Sequence, residues 1–335
     1  MNFSKGILFF YLFCSTSLTV VAQSNSPSFD YTFLEVATIN DFYSLRQPSD
    51  RYFTSGKTIR LQDPFLQKLS FGLQHFFPFS KNDAVEQVYE IRLDHQMYTP
   101  YRIEWKDPAI FDRPYAGLVQ LGLSNESVDP EKGIRFFKEI QLGWVGPSVK
   151  GENLQNWFHR LKGRPEAQGW DYQIKDQLIA GISSALEKAL LGNPRQQHLL
   201  IGKADFKLNT LQRDAQLHLE YQMGNTQAYF SALPTFPKQL TWTAYFRLGS
   251  RIVFANELLT GELRPNDYSE SFHEIDLNSI LLVGEYGLKL RKGYWNLRLS
   301  QSIISPEFAE GTTHFWGEIA LAYCWAKHKK LSLEN

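Results

Sequence analysis

Apolar and polar residues alternate along segment after segment of this chain, and the polar side of the alternation carries full charges. In 241–249, Trp242, Ala244, Phe246 and Leu248 share one face, while Thr241, Thr243, Tyr245 and Arg247 share the other. Leu217, Leu219 and Tyr221 alternate with Gln216, His218, Glu220 and Gln222. Near the C-terminus Trp295, Leu297 and Leu299 alternate with Asn296, Arg298 and Ser300, and Ile319, Leu321, Tyr323 and Trp325 alternate with Glu318, Ala320, Ala322 and Cys324. Period two with one apolar face means half-buried strands. A soluble sandwich would turn its apolar faces inward and leave Glu220, Arg247, Lys289, Arg291 and Arg298 in solvent. A membrane barrel turns the apolar face to lipid and places the charges in a wet lumen.

Aromatic residues make up 15% of the chain, yet mean hydropathy is negative. Past the N-terminus no segment approaches the roughly 20 apolar residues of a membrane helix. Composition alone fits a sandwich as well as a barrel; the charged alternate face selects the barrel. Strands are expected near 33–39, 53–62, 86–98, 115–126, 133–146, 175–188, 198–208, 213–223, 240–255, 275–291, 294–304 and 314–325. That is about 12, an even number that returns both termini to the same side. Gln177–Leu191 also reads as an amphipathic helix and is assigned to a strand because the barrel needs one there.

At the N-terminus a basic stretch (Asn2 to Lys5), an apolar run (Ile7 to Phe13) and a small-residue end at Ala22 form the layout of a secretory signal peptide. The expected division is 1–22 signal peptide, 23–325 barrel and 326–335 polar tail. Bulky Phe13 before Cys14 fits a lipoprotein cleavage site poorly. Removal of the signal leaves Cys324 alone, which excludes an intramolecular disulfide. Formal net charge is zero, with 35 basic and 35 acidic residues, so no basic field points to nucleic acid.

One segment departs from period two. After Gly146-Pro147-Ser148, the stretch GENLQNWFHRLKG reads as a helix, with Ser148 the expected N-cap and Gly163 the expected stop. Leu154, Trp157, Phe158 and Leu161 form an apolar side, and Gln155 and His159, at i and i+4, share another. A helix between two barrel strands belongs to a loop at one rim.

Four clusters could carry chemistry: Asn40-Asp41; Asp50-Arg51-Tyr52-Phe53-Thr54-Ser55-Gly56; Asp112-Arg113-Pro114-Tyr115-Ala116-Gly117; and Gln155…His159 with Glu166 and Gly169-Trp170-Asp171. Each has a duller reading. His159 could satisfy a helix C-terminus, Asn40-Asp41 and Thr54 could be turn residues, and Asp112-Arg113 is read as a lumenal ion pair. Trp170 is assigned to an interfacial girdle. His95, His218 and His314 are assigned to packing in the lumen.

Taken in order, these stretches resemble the lipid A 3′-O-deacylase family (LpxR type) of Gram-negative outer membranes. The matching elements are N-D, D-R-Y-x-T-x-G, Q-x-Y-T-P (Gln96 and Tyr98 to Pro100), D-R-P-Y-A-G, G-P-S, Q-N-x-x-H and G-W-x-x-Q. The resemblance implies a 12-stranded antiparallel outer-membrane barrel with a loop helix at the extracellular rim. It also implies a calcium ion and hydrolysis of the acyloxyacyl ester at the 3′ position of lipid A, within lipopolysaccharide and outer-membrane lipid. Residue by residue, Asn40 and Asp41 match the N-D pair, Thr54 the hydroxyl of the turn, and Gln155 and His159 the helix pair. Pro165 stands at the expected place of the glutamate, with Glu166 one residue on. For phosphate contacts after Y-T-P only Arg102 and Lys106 are available. The expected set is His159, Glu166, Asn40 and Thr54 for catalysis, Asp41 and Asn40 for calcium, and Gln155, Arg102 and Lys106 for substrate. Histidine suits a base that deprotonates water, and oxygen donors suit a hard cation. No Ser lies in a G-x-S-x-G elbow. Another lipid esterase, or a silent structural barrel, stays open beside this reading. No obligate protein partner is inferred.

Overall fold

A computed structural model describes residues 31–46, 51–69, 85–192, 197–226, 229–261 and 275–326. The expected signal peptide, the tail beyond Ala326, and Asp50 lie outside the described residues.

Among these residues, 12 antiparallel strands close into one barrel in which each strand pairs with its sequence neighbours and β1 pairs with β12. They are β1 (Tyr31–Asn40), β2 (Tyr52–Gln62), β3 (Glu86–Thr99), β4 (Ala116–Asp129), β5 (Ile134–Val145), β6 (Gln177–Leu191), β7 (His198–Asn209), β8 (Gln212–Gly224), β9 (Thr241–Asn256), β10 (Ile280–Lys292), β11 (Trp295–Ile304) and β12 (His314–Ala326). The ambiguous 177–191 segment is a strand. Its helical reading loses because both edges are needed, by β5 on one side and β7 on the other. No helix of the described residues is long and apolar enough to cross a membrane.

The period-two pattern sorts as the sequence predicts. Leu217, Leu219, Trp242, Phe246, Leu248 and Leu321 stand exposed on the outer wall, forming the belt a barrel presents to lipid. Inward-facing charges pair across strands. Glu220 meets Lys203 at 2.9 Å and Arg247 at 2.6 Å, and Arg298 meets Glu35 at 3.1 Å and Glu318 at 2.6 Å. Such pairs replace the hydration that a narrow lumen cannot supply in full. They surround a polar cavity of about 480 Å³. Apolar layers close it at both ends. Toward the termini, Phe230 packs on Val88, Val128, Leu199 and Ile201. At the other rim Leu118, Val145, Ile174, Ile179, Leu211 and Leu258 pack together.

The rim opposite the termini, extracellular in a bacterial barrel, carries the helix α1 (Gly151–Lys162) between β5 and β6. Gly163 ends it in a left-handed conformation (φ 64°), as expected. Ser148 is not its N-cap. It lies in a preceding 3-10 turn, Pro147–Val149, and its hydroxyl donates to Asp176 instead. Gly146, at φ 123°, is required there, because a Cβ would come within 2.6 Å of Asp176 Cα.

Candidate active site

Loops at this rim fold down over the outside of the barrel wall. Ala37 and Ile39 line the lumen while Val36 is exposed, so Asn40 faces outward. By the same alternation Met97 and Gly117 face outward, since Gln96 and Leu118 line the lumen. Asn40, Ser55, Met97 and Gly117 form one register row across β1 to β4. Three inter-strand steps make this row about 14 Å long.

Helix α1 spans that row. At its start Gly151 packs on the wall, its Cα 3.4 Å from a Cβ built at Gly117. Past its end, Arg164 stacks over the Phe42 ring, next to Asp41, at 4.7 Å. Twelve helical residues measure about 18 Å, enough to cross from β4 back to β1. The face it turns inward is polar: Gln155, Asn156 and His159 are buried, whereas Trp157, Phe158 and Leu161 are 55%, 44% and 66% exposed. The apolar stripe that would bury itself in a soluble protein here points away from the wall.

Each inward side chain is held. His159 Nδ1 lies 2.5 Å from the Pro165 carbonyl oxygen. A carbonyl only accepts, so Nδ1 carries the proton and Nε2 is the basic nitrogen. Gln155 Oε1 accepts the Trp170 indole N–H at 2.7 Å, which aims its amide nitrogen the other way. That nitrogen is buried with no hydrogen-bond partner among the described residues. Asn156 clamps the following loop through both amide atoms to the Ala167 backbone, at 2.9 and 3.3 Å. Trp170 is therefore no girdle residue. It is 1% exposed, in a cluster with Met97, Ile103, Phe111, Tyr115 and Ala167 on the outer wall.

Across the groove, Asn40 Oδ1 accepts from Phe42 N at 2.7 Å, and fully buried Asp41 accepts from Arg51 N at 2.9 Å. Thr54 is the extra residue of a β-bulge between Phe53 and Ser55, a device that re-aims a side chain. Its hydroxyl bonds to that of Thr99 at 2.6 Å. Asp41 and Asn40 after β1, and the paired Thr54 and Thr99 hydroxyls of β2 and β3, make up a group of oxygen donors only, the kind hard cations prefer. It contains one carboxylate, and no group of three or more His, Cys, Asp or Glu side chains suited to a metal occurs among the described residues. The set fits a calcium ion that takes its remaining ligands from neutral oxygens.

The structure does not bring Glu166 to the imidazole. Its carboxylate turns to Arg160 at 2.9 Å, with the two side chains 40% and 59% exposed. The Pro165 carbonyl, one residue before the glutamate, stands behind His159 instead. Arg102 and Lys106 are exposed on the β3–β4 loop, with Arg102 over the Tyr101 ring at 5.9 Å. Asp112 and Arg113 are not partners of one another in the way the sequence suggests. Asp112 accepts from Tyr101 N, while buried Arg113 reaches Glu307 at 3.9 Å and lies over the Tyr98 ring. His218 does line the lumen, beside Asp205, and His314 is buried against the Phe53 carbonyl. His95 faces outward. The sequence reading also missed the Asn156 clamp, although Asn156 stands inside the Q-N-x-x-H motif.

Fold and site together define a membrane β-barrel whose candidate functional groups sit between its outer wall and a loop helix. A family model described as "Outer membrane protein LpxR" matches residues 8–325. The chain belongs to this family of outer-membrane proteins. Its structure is similar to LpxR from Salmonella typhimurium, with TM-score 0.70 at 16% identity over 87% of this chain and 99% of that one. The beta domain of the Bordetella autotransporter Brka gives TM-score 0.44 at 11% identity over 88% and 97% of the two chains. The translocator domain of the autotransporter NalP from Neisseria meningitidis gives 0.39 at 7% identity over 88% and 87%. No curated protein matches the chain.

Proposed function

We propose that this protein is a lipid A deacylase that hydrolyses the 3′-O-linked acyloxyacyl ester in the outer membrane. One observation carries the reading most directly. A 2% exposed histidine is held in its Nδ1–H tautomer on a helix that faces the outer wall. A lipid ester reaches such a groove sideways, without leaving the bilayer.

His159 Nε2 takes the proton of the attacking water, and Pro165 steadies the resulting imidazolium through Nδ1. The buried Gln155 amide nitrogen donates to the oxyanion that forms at the ester carbon; a donor kept without a partner is costly unless a ligand fills it. Trp170 sets its direction. Asp41, with Asn40 and the Thr54 and Thr99 hydroxyls, would hold calcium, which when bound polarises an ester carbonyl. Arg102 and Lys106 stand at the rim for anionic groups of the lipid. Signal-directed export brings the chain to this membrane.

The test is mass spectrometry of lipid A from cells expressing wild type or His159→Ala, with and without a calcium chelator. Wild type should remove one acyloxyacyl unit and His159→Ala none. An unchanged acyl pattern with wild type in calcium ends the deacylase reading. If phospholipid chains are shed instead, the protein is an esterase of another lipid.

A further inference from the structure

Directly below the site row, the lipid-facing wall carries a second row that breaks the apolar belt. Thr38 pairs with Lys57, and Lys57 with His95. Thr58 and Arg60 line the lumen and Ile59 is exposed, which sets Lys57 facing outward; Asp94 and Gln96 do the same for His95. Lys57 is exposed and makes no ion pair or hydrogen bond among the described residues. The His95 Nδ1 is buried with no partner among them. One row further, the wall is apolar: Val36, Ile59, Leu93, Leu121 and Leu142 run side by side, 53%, 46%, 43%, 43% and 54% exposed.

A cation facing lipid is costly unless it meets water or an anion. Most other outward-facing basic residues of the strands are covered or tied, and exposed Lys292 stands at the opposite end of the barrel, where β10 finishes. Lys138 is buried, Lys188 donates to the Lys132 carbonyl, and Arg213 pairs with Glu257. Lys57 lies about 7 Å along β2 from Ser55, two residues of strand. A four-carbon stem lets its ammonium rise toward the head-group level. The boundary between an apolar row and a cationic row is where an amphiphile places its acyl chains and its phosphate.

We propose that Lys57, with His95 and Thr38, is a binding site for a lipid-borne phosphate on the outer wall. It aligns the lipid while the chains run over Val36, Ile59 and Leu93. This rests on the deacylase reading for its substrate, but the site itself is defined by the wall. Arg102 and Lys106 lie in the loop above and are separate from it.

The experiment uses the full chain in vesicles containing bisphosphorylated lipid A or the same lipid stripped of its phosphates. Lys57→Met, which keeps length and suits lipid, should raise KM, expressed as mole fraction of substrate, by about tenfold on the phosphorylated lipid. Its kcat should stay within about twofold. On the stripped lipid Lys57→Met and wild type should coincide, and Lys57→Arg should restore most of the loss. Native mass spectrometry of retained lipid provides a readout without turnover: wild type should hold the phosphorylated form in preference, and Lys57→Met should not. Millimolar inorganic phosphate should leave that preference intact; displacement would point to a free-phosphate site and overturn the lipid assignment. An equal effect of Lys57→Met on both lipids, or none on either, overturns the proposal. If wild type hydrolyses neither lipid yet retention still depends on Lys57, the deacylase reading fails and the phosphate site stands.

Discussion

A single methyl group placed at the seam between α1 and the wall should test whether the helix positions the base. A Cβ at Gly151 would lie 2.8 and 3.0 Å from two Trp170 ring atoms and 3.4 Å from Gly117 Cα. Ordinary carbon contacts sit near 3.5–4.0 Å, so the helix must stand off by roughly 1 Å. Trp170 is 1% exposed and cannot swing aside. Overpacking of this kind costs about 1–3 kcal/mol, while Gly→Ala within a helix returns about 1 kcal/mol of propensity. The balance leaves the barrel folded and strains only the seam. A displacement near 1 Å of a reacting group can cost on the order of 10²-fold in rate. Gly151→Ala should therefore lower kcat by about that factor in vesicles, with heat-modifiable gel migration of the barrel unchanged. Asn153→Ala, at an exposed position of the same helix, is the control and should keep wild-type rates. If Gly151→Ala stays within about threefold of wild type, helix placement does not set the geometry of His159 and the argument from the seam fails.

Other expectations follow from particular contacts. Glu166→Gln should lower activity by less than about threefold, because an exposed pair with Arg160 is worth roughly 0–1 kcal/mol; a collapse of activity would restore the carboxylate to the mechanism. Trp170→Phe removes the 2.7 Å bond to Gln155 and should lower kcat more than it raises KM, with stopped-flow turnover as the readout. Burial would raise the Asp176 carboxyl, but the Ser148 backbone N–H, the Trp144 indole and the Ser148 hydroxyl hold it below its ordinary value. A depressed carboxyl stabilises the loop above its unfolded pKa of about 3.9 and loses that contribution as pH falls through the folded value. Proteolysis of the 146–176 loop should thus accelerate in acid, and Asp176→Asn should be open already at neutral pH. Glu220→Gln removes the carboxylate shared by Lys203 and Arg247, which keep Glu187 and Glu285 as partners, and should cost about 1–3 kcal/mol in urea unfolding from vesicles.

Strand positions were legible because a strand between lipid and a wet lumen must alternate, and this chain alternates with charges on one side. Even Gln177–Leu191 became a strand once its neighbours demanded pairing. The chemistry was legible only as an ordered set of short motifs. What stayed hidden depends on which way a surface faces. Trp170 was assigned to the girdle because sequence does not show loops folding over the outer wall, and His95 to the lumen because polar Asp94 and Gln96 on either side of it mask the alternation. Ser148 looked like a cap, yet its hydroxyl serves a carboxylate 28 residues away. Glu166 lies beside Arg160, and the carbonyl of the residue before it stands behind the imidazole, a loop geometry that spacing alone does not show.

The apolar layers at the two ends of the lumen bear on the cell that makes this protein. A 12-stranded cylinder of this kind could leak, but Phe230 with its neighbours and the Leu118–Leu258 layer set an apolar cluster at each end of it. Clusters of that kind resist hydration, so each added copy of the barrel would add little aqueous conductance to the membrane that holds it. Single molecules in a planar bilayer should be electrically silent, whatever the lipid around them is undergoing.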